Sequence, residues 1–142
     1  MAVLLDTDHL SILQRRTQTH CDRLRQRLDR LQADDIATSI VCHQEQFAGW
    51  QAYVNQSKTD EEIVHAYGEL EFMWRFFRKM NVVSFTSEAQ TRFVSLRKQK
   101  IRIPTLDLRI ACVALVTDSL LLSRNLKDFR QVPGLNVEDW TA

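Results

Sequence analysis

Short apolar runs recur along the chain, separated by longer stretches in which apolar residues are spaced as in helices. Runs this short, rich in branched side chains, are typical of buried strands. We therefore predict four strands, with a short fifth around Val137, at residues 3–5, 36–40, 82–85 and 120–123.

The stretches between these strands predict helices. Leu24, Leu28 and Leu31 recur at positions i, i+4 and i+7 among charged residues, which predicts one amphipathic helix between the first two strands. Thr59 is a candidate N-cap for a helix whose first turn is acidic. Further helices are predicted at residues 41–55, 60–80, 86–100 and 106–116.

Strands that alternate with helices pair in parallel, because each connection crosses one face of the sheet and helices come to cover both faces. We therefore expect a three-layer α/β/α sandwich with a central, mainly parallel sheet of four to five strands. The length suits one domain over residues 1–142. A content of 44% hydrophobic residues with only 3 Gly and 2 Pro excludes a disordered or collagen-like chain and disfavours a many-turned β-sandwich.

Cysteine usage and hydropathy bear on the cellular compartment. Cys21, Cys42 and Cys112 are odd in number and widely spaced, which predicts neither a disulfide framework nor a zinc site. No apolar run approaches the roughly 20 residues that cross a membrane, and the first residues lack the pattern of a signal peptide. These features predict a soluble, cytoplasmic protein without a membrane partner.

Polar and acidic residues stand at the ends of the predicted strands. Asp6 directly follows the first strand, Glu45 lies in the first turns of the helix after the second, and Asp107 opens the helix that leads into the fourth. Asn125 and Asp128 follow the fourth strand. Because sites on parallel sheets lie beyond the carboxyl ends of the strands, we expect these side chains to converge there.

A group of carboxylates creates an electrostatic requirement. Two carboxylates about 4 Å apart repel by roughly 4 kcal/mol at an effective dielectric constant of about 20, so three or four together need protons or a cation. Oxygen ligands without Cys or His favour Mg²⁺ or Mn²⁺ over zinc. Such an ion can activate water for attack on a phosphodiester, which makes metal-dependent phosphodiester hydrolysis the functional hypothesis. One Asp alone is more often a cap or turn residue, so the hypothesis depends on the combination.

Five segments together resemble a known family. They are Leu4-Leu5-Asp6-Thr7-Asp8, residues 39–45, residues 104–111, residues 122–129, and a closing pair at 132–135 and 138–140. In this order, over nearly the whole chain, they are similar to the PIN-domain ribonucleases and, within them, to the VapC-type toxins of bacterial toxin–antitoxin pairs. Single segments are unspecific, and the similarity lies in the order of all five.

The resemblance implies a site, an activity and partners. Asp6, Glu45 and Asp107 match the family's acidic triad, which binds Mg²⁺ or Mn²⁺. The segment from Asn125 to Asp128 matches the region that supplies a fourth position, and members differ in which of the two places is acidic. The implied activity is that of an endoribonuclease that cleaves structured cellular RNA, such as tRNA or rRNA. The resemblance further implies inhibition by a cognate VapB-type antitoxin and a homodimer.

Three positions depart from the family's pattern. Asp8 stands where many members have Asn, Pro104 where many have Gly, and Ser123 where Thr is more frequent. The Asp8 departure matters most, because Asp-x-Asp after an apolar strand also opens the haloacid-dehalogenase phosphatases, whose first Asp is a nucleophile and whose second is a general acid/base. Against that family, Leu10 stands where it has Thr or Val, and no later Gly-Asp-x-x-x-Asp segment follows.

Two alternatives therefore stand beside the ribonuclease: a phosphatase that uses Asp6 and Asp8, and a non-catalytic PIN-fold interaction protein. An Asp8→Asn substitution tests the phosphatase, since a PIN nuclease should tolerate the change and a phosphatase should lose its acid. Retention of all three principal carboxylates argues against the non-catalytic protein, because clustered charge without a use destabilises a fold.

The net charge of +1 conceals an uneven distribution. Residues 1–74 sum to −5, residues 75–130 to +8 and residues 131–142 to −2. Four candidate ligands for RNA phosphates shortly precede Asp107 in the basic part: Arg97, Lys98, Lys100 and Arg102. The alternative for these four is a solvated helix face and loop.

The remaining polar residues near the candidate site have simpler interpretations. His9 is expected to have a hydrogen-bonded structural role. His43 and Glu45 are two residues apart on a helix and so do not face each other. Cys112 lies in an apolar helix, where a thiol behaves as a small hydrophobe.

Overall fold

A sheet of five parallel strands lies at the centre of the computed structural model, which describes residues 2–15 and 19–142. The strands are β1 (Val3–Leu5), β2 (Ile36–Ser39), β3 (Asn81–Val83), β4 (Leu120–Leu122) and β5 (Val137–Glu138). Their order in the sheet is β3-β2-β1-β4-β5, and every neighbouring pair is parallel. The predicted parallel sheet is confirmed, with the short fifth strand included.

The register places the ends of the central strands beside one another. Leu5 of β1 pairs with Thr38 of β2 and with Leu122 of β4. Every residue of β1 and β4 is buried, as expected for central strands covered by helices on both faces. The residues that follow these two strands therefore leave the sheet side by side at its carboxyl edge.

Seven α-helices flank the sheet within the described ranges. They are α1 (Thr7–Arg15), α2 (Thr19–Leu28), α3 (Ile40–Gln56), α4 (Asp60–Arg78), α5 (Ser87–Lys98), α6 (Thr105–Val116) and α7 (Leu126–Phe129). The α/β sandwich expected from the sequence is confirmed.

The connection between β1 and β2 differs from the prediction. The leucine spacing predicts one helix, whereas the structure has α1 as well as α2. Leu24 and Leu28 are buried on α2, but Leu31 follows the end of that helix. The buried face of α1 consists of His9, Leu10 and Ile12, so a polar residue interrupts the apolar pattern that would indicate the helix.

Hydroxyl side chains set the starts of two long helices. Ser39 accepts hydrogen bonds from two backbone N–H groups in the first turn of α3. The helix therefore begins at Ile40, the predicted last residue of the second strand, and β2 ends one residue earlier than predicted. Thr59, the predicted cap, accepts a hydrogen bond from the backbone N–H of Glu62 in α4. Each hydroxyl pairs an N–H group that the helix start would otherwise leave without a partner.

Apolar packing dominates α6, where residues 110–114 are all buried. The thiols of Cys42 and Cys112 are buried and form no disulfide, and burial raises the pKa of each to about 11. Cys112 thus has the apolar surroundings expected for it, while the side chain of Cys21 lies outside the described part of the protein. Among the described residues, no helix combines the length and hydropathy needed to cross a membrane.

Arg97 fixes the loop that joins α5 to α6. Its Nη1 donates to the carbonyl oxygens of Ile101 (2.8 Å) and Ile103 (2.9 Å), and Nη2 donates to Thr105 Oγ1 (3.3 Å). Three hydrogen bonds thus engage the guanidinium within the protein, so Arg97 has a structural role in the loop, and its predicted contact with RNA stays a prediction. The other three predicted phosphate ligands are exposed: Lys98, Lys100 and Arg102.

Replacing Arg97 with Ala should destabilise the protein, because hydrogen bonds from a charged group contribute roughly 1.5–3 kcal/mol each and two backbone carbonyls lose their donor. We expect urea denaturation to show a fall of about 2 kcal/mol in the free energy of unfolding. The matched Lys98→Ala change, at an exposed position of the same helix, should alter it by less than about 0.5 kcal/mol. Equal effects of the two substitutions would contradict the role of Arg97 in the loop.

Candidate active site

The acidic residues predicted from the sequence come together at the carboxyl edge of the sheet. Asp6 directly follows β1, and Asp107 lies in the first turn of α6. Asn125 lies in the turn that follows β4 and is the N-cap residue of α7. Asp128 lies within that helix. Glu45, on α3, is near enough for its charge to raise the pKa of Asp107.

Asp6 is the most deeply buried carboxylate of the group, with 5% of its surface exposed. Its backbone N–H donates to the carbonyl oxygen of Leu122 (2.9 Å), which extends the pairing of β1 with β4 by one residue. Its Oδ1 accepts from the backbone N–H of Thr7 (2.7 Å) and its Oδ2 from Ser123 Oγ (2.8 Å). Backbone and hydroxyl donors therefore hold this carboxylate in one orientation.

Ser123 is the hydrogen-bonding centre of the site and is fully buried. Its hydroxyl lies 2.8 Å from Asp6 Oδ2 and 3.2 Å from Asp8 Oδ2, so one proton is shared between two carboxylates. The same oxygen accepts from the backbone N–H of Asn125 (3.0 Å). The hydroxyl that Ser shares with Thr is thus the group used at this position.

Hydrogen-bond donors of the protein itself surround both carboxylate oxygens of Asp8. Its Oδ2 accepts from Ser123 Oγ and from the backbone N–H of Arg124 (2.9 Å). Its Oδ1 lies 2.7 Å from Nδ1 of His9. With three donors around its two oxygens, Asp8 ties the start of α1 to the turn after β4.

Asn125 joins two of the acidic residues. Its side-chain Nδ2 donates to Asp128 Oδ2 (3.0 Å) and approaches Asp107 Oδ2 at 3.5 Å. The amide therefore presents its donors to the carboxylates, and the negative charge on this side of the site resides on Asp107 and Asp128.

Burial and mutual repulsion perturb two of these carboxylates. Burial, with the charges of Asp8 and Asp107 adding to it, raises the pKa of Asp6 to about 7, against the opposing effect of the hydrogen bonds from Ser123 and Thr7. The pKa of Asp107 rises to about 6, first through burial and then through the charges of Glu45, Asp128 and Asp8. Near neutral pH the site therefore retains protons unless a cation compensates its charge.

The candidate ligands have the chemistry of a site for Mg²⁺ or Mn²⁺, because they are carboxylate oxygens without thiol or imidazole. Within the described residues, no three acidic, histidine or cysteine side chains are placed to hold an ion together. Mg²⁺ does not need such a cage, since it keeps several waters and binds through one or two carboxylates. The residues thus fit a hydrated divalent ion with few protein ligands.

The sequence leaves the hydrogen-bonding residues of the site largely unassigned. Ser123 stands out as a departure from the family's pattern, and Asp8 as a departure and as the second Asp of the phosphatase alternative. The hydrogen-bonded structural role predicted for His9 is confirmed, but the sequence does not identify its partners. Their contacts bring together residues more than 100 positions apart, from the β1–α1 turn, the β4–α7 turn and the C-terminal segment. The departures at Asp8 and Ser123 are themselves the signal that could have identified them.

Comparison with known proteins supports the fold. No protein-family model matches the sequence of the chain, and no curated protein matches it. VapBC-1 from nontypeable Haemophilus influenzae aligns with a TM-score of 0.72 and 23% identity over 100% of both chains. DNA-bound VapBC from Salmonella typhimurium aligns with a TM-score of 0.73 and 19% identity over 99% of this chain and 98% of the other.

A third match is VapBC-5 from Mycobacterium tuberculosis, described as a member of the VapBC family of toxin–antitoxin systems. It aligns with a TM-score of 0.58 and 20% identity over 98% of both chains. At these identities the likeness concerns the fold. The chain therefore has the PIN-like α/β fold that its sequence predicts, a fold that it shares with these VapBC structures.

Proposed function

We propose that the chain is a Mg²⁺- or Mn²⁺-dependent endoribonuclease and the toxin of a toxin–antitoxin pair. The observation that carries the proposal is the group of Asp6, Glu45, Asp107 and Asp128 at one sheet edge, where burial and repulsion raise the pKa of Asp6 and Asp107. The likeness in fold to VapBC structures over the whole chain supports the toxin assignment.

In this proposal, Asp6 and Asp107 are the direct ligands of the ion. Glu45 and Asp128 complete the acidic site, through bridging water or by orienting the attacking water. Asn125 orients Asp107 and Asp128 through its amide donors, so the fourth acidic position is Asp128. A divalent ion held there would lower the pKa of a coordinated water and offset the charge on the scissile phosphate of RNA.

The proposed antitoxin requires a separate surface, which the helices α1, α3 and α4 supply. A groove of about 570 Å³ lies between them, and none of the five candidate site residues lines it. Trp50, Tyr53 and Phe72 give the groove an apolar, aromatic wall, and Tyr53 and Phe72 are exposed. Such a wall suits an apolar segment of a VapB-type antitoxin. We further propose a homodimer that acts in the cytoplasm.

The phosphatase alternative is less well supported by the geometry. A general acid/base must reach the reacting group, whereas the two Asp8 oxygens already accept from Ser123, Arg124 and His9. These contacts favour a structural Asp8 and leave Asp6 without the partner that the Asp-x-Asp chemistry requires.

Purified protein should cleave tRNA or rRNA in the presence of Mn²⁺ or Mg²⁺ and lose this activity in EDTA. Loss of a metal ligand should cost more than the roughly 10–100-fold typical of outer-sphere partners, so we expect Asp6→Asn and Asp107→Asn to reduce cleavage at least about 100-fold. Cleavage is measured by gel electrophoresis of end-labelled RNA.

Asp29→Asn is the matched control, because it removes an exposed carboxylate at the end of α2 and should leave cleavage unchanged. Absence of metal-dependent cleavage across tRNA and rRNA would contradict the proposal and favour a non-catalytic interaction protein. Metal-dependent hydrolysis of p-nitrophenyl phosphate without RNA cleavage would instead favour the phosphatase.

RNA binding should depend on the exposed cations of the α5–α6 connection. A Lys98→Glu/Arg102→Glu double variant should bind RNA more weakly, and the slope of log affinity against log salt concentration should become shallower by about 1 for each phosphate that the variant no longer neutralises. Reversing Lys58, which is exposed between α3 and α4, is the control. If affinity and slope remain those of the unmodified protein, this surface does not contact RNA.

Without divalent ions, stability should fall as pH rises. Asp6 and Asp107 have higher pKa values in the folded protein than in the unfolded chain, so their contribution is complete below about pH 4 and is lost as pH rises through about 6 and 7. For Asp6 the pKa rises from 3.8 to about 7, so the loss is on the order of 4 kcal/mol, at about 1.4 kcal/mol per pKa unit.

Thermal denaturation in EDTA between pH 4 and 8 measures this loss, and Asp6→Asn should show a smaller decline than the unmodified protein. Addition of Mn²⁺ at pH 8 should restore stability to the unmodified protein only. Identical pH profiles for the two proteins would show that Asp6 is not the carboxylate whose ionisation destabilises the folded protein.

A further inference from the structure

His9 is fully buried at the start of α1, and both of its ring nitrogens have partners. The backbone N–H of Trp140 donates to Nε2 (3.2 Å), and Nδ1 lies 2.7 Å from Asp8 Oδ1. Because Nε2 accepts a hydrogen bond, it carries no proton, so the proton of the imidazole is on Nδ1 and points at Asp8. A second carboxylate, that of Asp139, lies near the ring, but its Oδ1 is 3.7 Å from Nε2, beyond hydrogen-bond distance.

The opposite side of Asp8 is also surrounded by donors. Its Oδ2 accepts from the backbone N–H of Arg124 and from the hydroxyl of Ser123. A side chain at position 8 must therefore accept hydrogen bonds on both of its sides. Carboxylate meets this requirement, whereas an amide has an acceptor on one side and a donor on the other.

The hydrogen bonds form one path from the C-terminal segment to the buried carboxylate of the site. The path runs from the Trp140 backbone through His9, Asp8 and Ser123 to Asp6. Its outer end is itself fixed, since the Trp140 indole donates to Glu138 Oε1 (3.0 Å). The orientation of Asp6 is thus coupled to a segment more than 130 residues away in the chain.

We propose that His9 is a positioning residue that requires a carboxylate at position 8 and, through it, holds Ser123 against Asp6. The pair of His9 and Asp8 belongs to the support of the site and does not contact the ion. What this implies for RNA cleavage rests on the proposed function, but the coupling of His9 to Asp8 does not.

The proposal revises the expectation that Asp8→Asn is tolerated. If the Asn carbonyl faces Arg124 and Ser123, its amide N–H₂ meets the Nδ1–H of His9. If the proton moved to Nε2 of His9, that conflict would end, but the new Nε2–H would face the backbone N–H of Trp140. Either arrangement opposes two donors, which is costly because the fully buried His9 ring cannot reach water to replace its lost partner.

The tautomer of His9 can be measured in the unmodified protein. Long-range ¹H–¹⁵N correlation spectra of the imidazole should show a protonated Nδ1 and an unprotonated Nε2 at pH 7. A proton on Nε2, whether in the other tautomer or in an imidazolium, would overturn the proposal. This measurement requires neither a variant nor any enzymatic activity.

Two substitutions separate the two hydrogen bonds of His9. Asn places an amide where Nδ1 lies and can still donate to Asp8, whereas Gln places an oxygen near Nε2 and can accept only from Trp140. We expect His9→Gln to weaken Mn²⁺ binding about tenfold and His9→Asn to restore it to within about threefold, although both lower the melting temperature. His65→Gln, at an exposed position of α4, is the control. Equal Mn²⁺ affinities for the Asn and Gln variants would reduce His9 to a general role in stability and overturn the proposal.

A double-mutant cycle tests the dependence of position 8 on His9. Asp8→Asn should weaken Mn²⁺ binding and lower the melting temperature more in the unmodified protein than in the His9→Gln background, where no Nδ1–H opposes the amide. Additive effects on both quantities would overturn the coupling. The melting temperatures can show coupling between positions 8 and 9 even if neither the unmodified protein nor any variant cleaves RNA. In that case the proposed function fails while the positioning role stands.

Discussion

The buried carboxylate of Asp6 is the constraint on which the rest of the site depends. A charge removed from water is costly unless it is paired, and from the described residues Asp6 receives only a backbone N–H and a shared hydroxyl proton. Its pKa of about 7 shows that these donors do not fully compensate for burial and for the charges of Asp8 and Asp107. A divalent cation would supply the missing compensation, and for this reason a stable fold and a metal-dependent activity are consistent with the same arrangement.

The parallel sheet produces this arrangement by bringing distant parts of the chain to one edge. β1 and β4 pair in register, so Asp6 and Ser123 leave the sheet as neighbours although they are 117 positions apart. Asn125 then joins Asp107 to Asp128, and Arg97 holds the loop that leads into α6. Each of these contacts restricts a carboxylate or the backbone segment that carries it, so the site has little freedom to spread its charges apart.

Features that depend on local pattern were accessible from the sequence. The strand positions, the Thr59 cap and the convergence of the acidic residues follow from apolar periodicity and from the geometry of parallel sheets. Features that depend on pairing between distant segments were not. The role proposed for His9 depends on Trp140, which lies 131 positions away in the chain. The hydrogen bonds of Arg97 to Ile101 and Ile103 span few residues, but they depend on the conformation of the loop, which the spacing of residues does not encode. Helix α1 is absent from the prediction for another reason, because His9 interrupts the apolar face that would indicate the helix.

In the proposed function, the carboxylates around Asp6 bind a divalent ion by giving up protons. Calorimetric titration of Mn²⁺ at pH 6.5, in two buffers that differ in ionisation enthalpy, counts the protons released on binding. We expect saturable binding to the unmodified protein with release of about one proton, since Asp6 and Asp107 have pKa values of about 7 and about 6. Binding without proton release, or binding that persists unchanged in Asp6→Asn, would contradict it.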